Sequence, residues 1–131
     1  MEELYNLGIS HTTILNMLEQ CPNIKNMTIN EIKEKIEILK KINCSNYQIV
    51  NIISSNAMYL DKTNENIIKL INKLNALKFD TLNILFDSNP YILNLETFEI
   101  DNYISTKINN GENLENIIED LDSNPYLFDS I

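Results

Sequence analysis

The carboxylates in the last third of the chain are the side chains whose types and spacing most directly suggest a chemical role. Some are three and four residues apart, so one face of a helix is able to present several of them together. The clustered residues are Glu112, Glu115, Glu119, Asp120 and Asp122. The cluster fits a solvated polar cap on the end of a folded stack, or an anionic surface that binds a basic protein or mimics nucleic acid. It has no Asp-x-Asp-x-Asp-Gly loop, so we expect no metal site.

The charge is distributed unevenly along the chain. Residues 95–131 hold nine acids and one lysine, a net charge of −8, whereas residues 1–94 hold ten acids and nine lysines, a net charge of −1. All ten basic residues are lysine, and arginine is absent. The acidic character of the protein, −9 in total, therefore belongs almost entirely to its C-terminal third.

Two groups of lysines are the candidates for binding phosphate groups. They are Lys33, Lys35, Lys40 and Lys41 in the first group and Lys69 and Lys73 in the second. Glutamates interleave with the first group, and Glu31–Lys35 and Glu37–Lys41 have the favourable i,i+4 order. The pattern favours a solvated, ion-paired helix face, with contact to nucleic acid as the alternative.

Residues for catalysis are scarce. His11 is the only histidine, so neither a catalytic triad nor a zinc site can be assembled from recognisable parts. Two glycines, Gly8 and Gly111, do not make a phosphate-binding loop. Cys21 and Cys44 have no CxxC spacing and are expected to be buried thiols. We therefore expect no enzyme, and no cofactor.

An internal repeat organises the whole chain. When it is aligned on Pro22, Ala57, Pro90 and Pro125, apolar residues coincide in five columns. These columns are Ile14, Ile49, Leu82 and Ile117; Leu18, Ile53, Phe86 and Leu121; Ile24, Tyr59, Ile92 and Leu127; Ile32, Ile67 and Ile100; and Ile36, Ile71 and Ile104. Asparagine directly precedes the anchor in three of the units, at Asn56, Asn89 and Asn124.

Each repeat predicts a short helix, a brief helical turn after the anchor and a longer helix. Ser10 and Ser45 are expected to cap the short helices, and Asp80 the third. Thr28 and Glu31 form a capping-box pattern for the first long helix, in which Glu31 reaches back to the Thr28 N–H. The later long helices are expected to start at Thr63 or Asn64, and at Thr97. Tyr91 and Tyr126 follow their prolines, and we expect them to pack in the core or turn, with base stacking as the alternative.

These elements predict an all-α protein, a right- or left-handed α-solenoid of about three and a half repeats, each with two α-helices and a short 3₁₀ turn. Stacked units of this kind share a core that a single pair of helices lacks. We predict one domain over residues 1–131, with units at approximately 4–39, 40–74, 75–108 and 109–131.

The repeat resembles that of the mitochondrial transcription termination factor (mTERF) family. The residues that carry the resemblance are Leu7-Gly8-Ile9-Ser10 before the first short helix and the turns Asn89-Pro90-Tyr91-Ile92-Leu93 and Asn124-Pro125-Tyr126-Leu127-Phe128. It covers essentially the whole chain. The resemblance implies helical triplets and a protein that binds nucleic acid along a positively charged concave groove in organellar gene expression.

The charge argues for a different partner. Phosphate neutralisation by Lys and Arg supplies most non-specific affinity for nucleic acid, and this chain is acidic. We predict a non-catalytic helical-repeat module that binds a protein through a concave or acidic C-terminal surface. The alternatives are an mTERF-like nucleic-acid-binding protein that uses lysines of the first two repeats, and an acidic inhibitor or nucleic-acid mimic. We expect a cytoplasmic monomer or weak oligomer. We also expect no membrane contact, because no apolar run approaches the ~20 residues of a membrane-spanning helix.

Overall fold

The computed structural model describes residues 1–131, and every regular element in it is helical. The α-helices are α1 (Glu2–Asn6), α2 (His11–Gln20), α3 (Ile29–Lys41), α4 (Asn46–Ser55), α5 (Asn64–Ala76), α6 (Leu82–Ser88), α7 (Thr97–Asn109) and α8 (Leu114–Ser123). A 3₁₀ segment follows each of α2, α4, α6 and α8, at Pro22–Asn26, Ala57–Asp61, Pro90–Asn94 and Pro125–Ser130. The predicted fold class, an all-α helical-repeat solenoid, is confirmed. None of these helices has the length and apolar character needed to cross a membrane.

The repeat columns form the buried side of the helices. Every residue of the five apolar columns is buried except Leu18 and Leu127, which are half-buried. Met17 and Phe128, their neighbours in sequence, are buried in their place. The isoleucines that favour strands by propensity are therefore accommodated in helices, because packing outweighs a preference of well under 1 kcal/mol per residue.

Serine side chains cap the N-termini of two of the short helices, α2 and α4, as predicted. The Ser10 hydroxyl accepts a hydrogen bond from the Thr13 N–H at 3.2 Å. The Ser45 hydroxyl accepts from the Gln48 N–H at 3.1 Å, and the Gln48 side chain accepts from the Ser45 N–H at 2.9 Å. Ser45 and Gln48 therefore form a complete capping box, which satisfies two backbone donors that the first turn leaves unpaired.

Two of the predicted caps differ in the structure. The Thr28 hydroxyl accepts from the Glu31 N–H at 3.1 Å, but the Glu31 carboxylate accepts from the Thr28 hydroxyl, at 3.2 Å, instead of from the backbone N–H. The N-cap residue of α6 is Thr81, so the prediction that Asp80 caps this helix is wrong. The predicted starts of α5 and α7 are confirmed at Asn64 and Thr97.

A residue with a left-handed backbone conformation follows α1 and each of the long helices α3, α5 and α7. These residues are Gly8, Asn43, Lys78 and Gly111, with φ between 70° and 94°. In each case the left-handed residue donates its N–H three residues back, and the next residue donates its N–H five residues back, at 2.9–3.3 Å. This pair of bonds is the Schellman motif, in which glycine is favoured because it has no Cβ. The short helix α1 thus ends in the same way as the long helices.

Exchanging the residue types at these turns is expected to move stability in opposite directions. Gly111→Ala should lower the free energy of unfolding by about 1 kcal/mol, since no atom lies within 4 Å of the added Cβ and only the strained φ remains. Lys78→Gly should raise it by about 0.5–1 kcal/mol by relieving the same strain. Urea unfolding of both variants measures the two shifts. Shifts of the same sign would contradict the assignment of strain to the backbone.

The helices group into two compact units, Met1–Asn64 and Glu65–Ile131. The single domain and the four repeat boundaries proposed from sequence stay predictions. In the first unit α1 packs against α3, α2 packs against α4, and the two 3₁₀ segments pack on each other. Hydrogen bonds link successive repeats at this edge, since the Asn23 amide donates to the Asp61 carboxylate at 2.7 Å.

Tyr59 is the largest side chain buried in the first unit. It is fully buried, and its hydroxyl donates to the carbonyl oxygen of Lys35 at 2.6 Å. Burial, with a smaller contribution from Cys44, raises the pKa of Tyr59 well above its ordinary value. The neutral phenol thus connects the second 3₁₀ segment to the backbone of α3.

The raised pKa predicts an alkaline loss of stability that depends on this one hydroxyl. Unfolded Tyr59 loses its proton above about pH 10, whereas the folded state keeps it. The contribution of the neutral Tyr59 hydroxyl to the free energy of unfolding is therefore complete below about pH 10. It decreases by about 1.4 kcal/mol for each pH unit above that value. Urea unfolding of the wild type and Tyr59→Phe on both sides of pH 10 should show the stability gap between them narrowing. A gap independent of pH would contradict the prediction.

In the second unit α8 packs against α7, and the two 3₁₀ segments pack on each other. Asn89 is buried, and its amide donates to the Pro125 carbonyl at 3.1 Å and to the Asp129 carboxylate at 3.0 Å. Its side-chain oxygen accepts from the Tyr91 N–H at 3.3 Å. The asparagine of the anchor turn therefore fixes the position of the following turn.

Both cysteines are buried thiols, as predicted, and neither forms a disulfide. Burial raises the pKa of the Cys21 thiol, and the negative charge of Asp61 adds to the effect. A thiol that resists ionisation is a poor nucleophile. Cys21 is therefore a packing residue.

Candidate functional site

A groove in the second unit brings part of the acidic cluster together. Its volume is about 660 Å³, and it lies between α8 and the turn that connects α5 to α6. Four carboxylates line it, together with three aliphatic side chains and one lysine. They are Asp80, Glu115, Glu119, Asp122, Leu77, Leu114, Ile118 and Lys78. We call this set of residues the acidic groove.

The position of α8 explains why these residues face the groove. Asn113 caps the helix by accepting from the Asn116 N–H at 2.8 Å, so the helix begins at Leu114. Ile117 and Leu121 are buried against the core, which fixes the rotation of the helix about its axis. Two stripes then lie side by side on the groove face: Glu115, Glu119 and Asp122, and beside them Leu114 and Ile118.

The structure changes the membership of the predicted acidic face. Glu112 precedes α8 and lies in the turn after α7, so the prediction that one helix face presents Glu112, Glu115 and Glu119 is wrong for its first member. Glu112 instead pairs with Lys107 at 3.5 Å. Asp120 is exposed but does not line the groove. The observed face is Glu115, Glu119 and Asp122, spaced four and three residues apart.

Asp80 is the carboxylate that sequence reasoning did not place in the site. It lies ten residues before Pro90, and Glu115 lies ten residues before Pro125, so the two occupy equivalent repeat positions. That equivalence is the available signal, but an aspartate just before a helix also fits an N-cap, which is the role predicted for Asp80. The apolar members Leu77, Leu114 and Ile118 gave no signal, because they belong to none of the repeat columns.

The charges in the acidic groove are mostly of one sign. Four carboxylates stand against the single ammonium of Lys78. Nowhere in the chain are three or more His, Cys, Asp or Glu side chains placed to hold a metal ion. The carboxylates are thus spread along the groove, an arrangement that suits several separate cationic groups on one partner.

The predicted lysine sites do not form a comparable basic surface. Lys35 has only 6% of its surface exposed, so the prediction that it lies on a solvated face is wrong. Burial lowers the pKa of Lys35, while the carboxylates of Glu34, Glu31 and Asp61 oppose that shift. Packing against α1 and the second 3₁₀ segment covers this part of α3, and a single helix pattern does not reveal such a neighbour.

Three other candidate lysines form ion pairs with carboxylates. The ammonium–carboxylate distances are 3.5 Å for Lys40–Glu37, 3.2 Å for Lys69–Glu65 and 2.8 Å for Lys73–Asp101. Glu37 thus pairs with Lys40 and not with Lys41 as predicted. Lys33 and Lys41 are exposed on α3.

The lysines of the first unit face mixed charges. Lys33 and Lys40 line a groove of about 380 Å³ together with Glu3 and Glu37. The charges of the two ammonium groups and the two carboxylates in this groove cancel. A phosphate backbone would meet as much repulsion as attraction in this groove, so it is a weak candidate for nucleic acid.

The repeat architecture agrees with a known family. A model of the mTERF family matches residues 1–97. The chain belongs to the mTERF family. This confirms the resemblance drawn from the segment before the first short helix and from the anchor turns. No curated protein and no solved structure matches the chain.

The mTERF match includes only part of the acidic groove, namely Leu77, Lys78 and Asp80. The match ends at residue 97, whereas α8 supplies the groove with residues 114–122. Nine of the ten lysines lie within the matched residues. The acidic helix is therefore a feature of this mTERF-family chain outside the segment that defines its membership.

Two tyrosines of the mTERF-type turns are more exposed than predicted. Tyr91 and Tyr126 are 56% and 65% exposed, so the expectation that they pack in the core or turn is wrong. Each is the second residue of its 3₁₀ segment, where the following residue, or the one after that, points inward instead. Their rings are available at the surface of the second unit.

Proposed function

We propose that this mTERF-family protein is a non-catalytic binding module whose acidic groove takes a basic protein partner. The observation that carries the proposal is the convergence of Glu115, Glu119 and Asp122 from α8 with Asp80 from the facing turn. Helical-repeat proteins use the extended surfaces of stacked repeats for binding.

Electrostatics favours this class of partner. Surfaces that associate have complementary potentials, which raise the rate of encounter and disfavour wrong partners. The second unit, with twelve acids and four lysines, carries a net charge of −8, so a cationic surface is attracted and an anionic one is repelled. Because the groove is open to solvent, salt should screen the attraction over about 8–10 Å.

The proposal is tested by neutralising two carboxylates in the groove and two elsewhere. Glu115→Gln/Glu119→Gln is expected to weaken binding to poly-L-lysine about threefold to tenfold, the range of one or two exposed ion pairs. The control Glu2→Gln/Glu19→Gln makes the same charge change at exposed helical positions of the first unit and should leave most of the affinity. Isothermal calorimetry at low and physiological salt measures both.

Two results would contradict the proposal. One is equal weakening by the groove and control variants, which would reduce the effect to net charge. The other is the absence of any binding to the basic polymer at low salt.

Nucleic-acid binding is the second candidate, and membership of the mTERF family favours it. The residues available for it are the exposed Lys33 and Lys41, since the other candidate lysines are buried or paired. Under our proposal, mobility-shift assays at low salt detect no binding to single- or double-stranded DNA or RNA. A shift that is abolished by Lys33→Gln/Lys41→Gln would establish the second candidate instead.

A further inference from the structure

We infer that the acidic groove recognises a basic segment anchored by one large apolar side chain, and not a uniformly basic surface. This inference rests on the proposed function and specifies the partner's chemistry. The partner segment would carry Lys or Arg on both sides of a Leu-, Ile- or Met-sized residue. Two properties of the groove support this assignment: its apolar floor and the arrangement of its charges.

The apolar floor is the first property. Leu77 and Ile118 are half-buried and Leu114 is 43% exposed, and all three line the same groove as the carboxylates. Together they form one partly exposed apolar surface beside the carboxylates. Covering them with an apolar side chain of the partner removes this surface from water, which is favourable in proportion to the area covered.

The size of the groove fits a short segment. Its volume of about 660 Å³ lies within the ~300–1,000 Å³ of sites that hold small ligands. A site of this size accommodates a few side chains. A segment with one anchor and flanking cations matches it better than a folded basic domain, which would bridge across the opening and leave the floor uncovered.

The arrangement of charges is the second property. Glu115, Glu119 and Asp122 extend along about two turns of α8, and Asp80 faces them across the groove. Cations on both sides of an apolar anchor therefore find a carboxylate on each side of the floor. Another copy of this chain fits poorly, because each unit has a net negative charge and the acidic grooves repel each other.

Lys78 provides an internal control for the charge argument. It is the single cation lining the groove, and it occupies one of the left-handed turn positions. Lys78→Gly removes the opposing charge and relieves backbone strain, so the variant should be better folded than the wild type and bind a basic segment more tightly, by about twofold to fivefold. Loss of folding then cannot explain the outcome.

The decisive experiment compares two synthetic peptides that differ in one residue. The first is Lys-Lys-Leu-Lys-Lys and the second is Lys-Lys-Ser-Lys-Lys, both with blocked ends, measured by calorimetry against the full chain. The leucine peptide should bind about tenfold more tightly. Leu114→Ser should remove most of that difference. Leu15→Ser, at 49% exposure in α2, is the matched control and should leave the difference unchanged.

The outcomes separate this inference from the proposed function. If both peptides bind equally and Glu115→Gln/Glu119→Gln weakens both, the basic partner stands and the apolar anchor is overturned. A leucine preference that survives Leu114→Ser also overturns it, since the anchor then lies elsewhere. If neither peptide nor poly-L-lysine binds, the proposed function itself fails. Sedimentation that shows self-association abolished by Leu114→Ser would assign the groove to a second copy of the chain and overturn the inference.

Discussion

Tyr59→Ala is expected to lower the free energy of unfolding by about 3–5 kcal/mol, the range for truncating a large buried aromatic side chain. Tyr59 is fully buried, and its ring lies where the second 3₁₀ segment packs on α3. The truncation leaves a cavity and also leaves the Lys35 carbonyl without the hydroxyl that donates to it at 2.6 Å. A domain is typically stable by only about 5–15 kcal/mol, so the variant should be close to unfolding at room temperature.

Two controls divide this loss into its parts. Tyr59→Phe keeps the ring and removes only the hydroxyl. It should cost about 0.5–1.5 kcal/mol, the net contribution of one hydrogen bond, because the Lys35 carbonyl keeps its bond within α3. Tyr91→Ala truncates an exposed tyrosine and should change stability by less than about 0.5 kcal/mol. Urea unfolding monitored by circular dichroism measures all three. A Tyr59→Phe loss as large as that of Tyr59→Ala would contradict the cavity as the main cause.

The sequence was sufficient for the fold because one physical signal recurs. An apolar residue that returns at the same place in every repeat reports burial more reliably than any single helix pattern, and all but two of the column residues are buried. Ser10, Ser45 and the anchor prolines then locate helix starts and ends through local backbone chemistry. Local and repeated features of this kind are readable without a structure.

The left-handed turns show where local reading stops. Gly8 and Gly111 mark two of these turns, since glycine is the residue that favours such a φ. Asn43 and Lys78 occupy the equivalent positions, and a lysine there carries no sequence signal. The left-handed conformation of these two residues is seen only in the structure.

The candidate site was predictable only in part, for a different reason. The carboxylates of α8 stood out by density, but Asp80 and Leu77 join them through packing of segments more than thirty residues apart. The prediction for Lys35 is wrong for a related reason. A solvated position is expected from the sequence, but Lys35 is buried because neighbouring elements cover one side of α3. Charge and periodicity describe a single helix, whereas a groove depends on how two segments of the chain pack together.

Asn89→Ala is expected to lower the free energy of unfolding by about 2–3 kcal/mol. Its amide donates to the Pro125 carbonyl and the Asp129 carboxylate, and its oxygen accepts from the Tyr91 N–H. Removing a buried side chain that satisfies several groups costs the desolvation of those left unpaired, about 1–3 kcal/mol for each that water does not reach. Water reaches Asp129 and Tyr91, which are exposed, so the estimate stays well below the sum.

The repeat itself offers the matched control. Asn124 occupies the same column one repeat later but is exposed, and Asn124→Ala should cost less than about 0.5 kcal/mol. The Asn124 side chain makes no cap for its own turn, whereas Asn89 bonds both its own turn and the Pro125–Ser130 segment. Equal losses in the two variants would contradict the assignment of the cost to these bonds of Asn89.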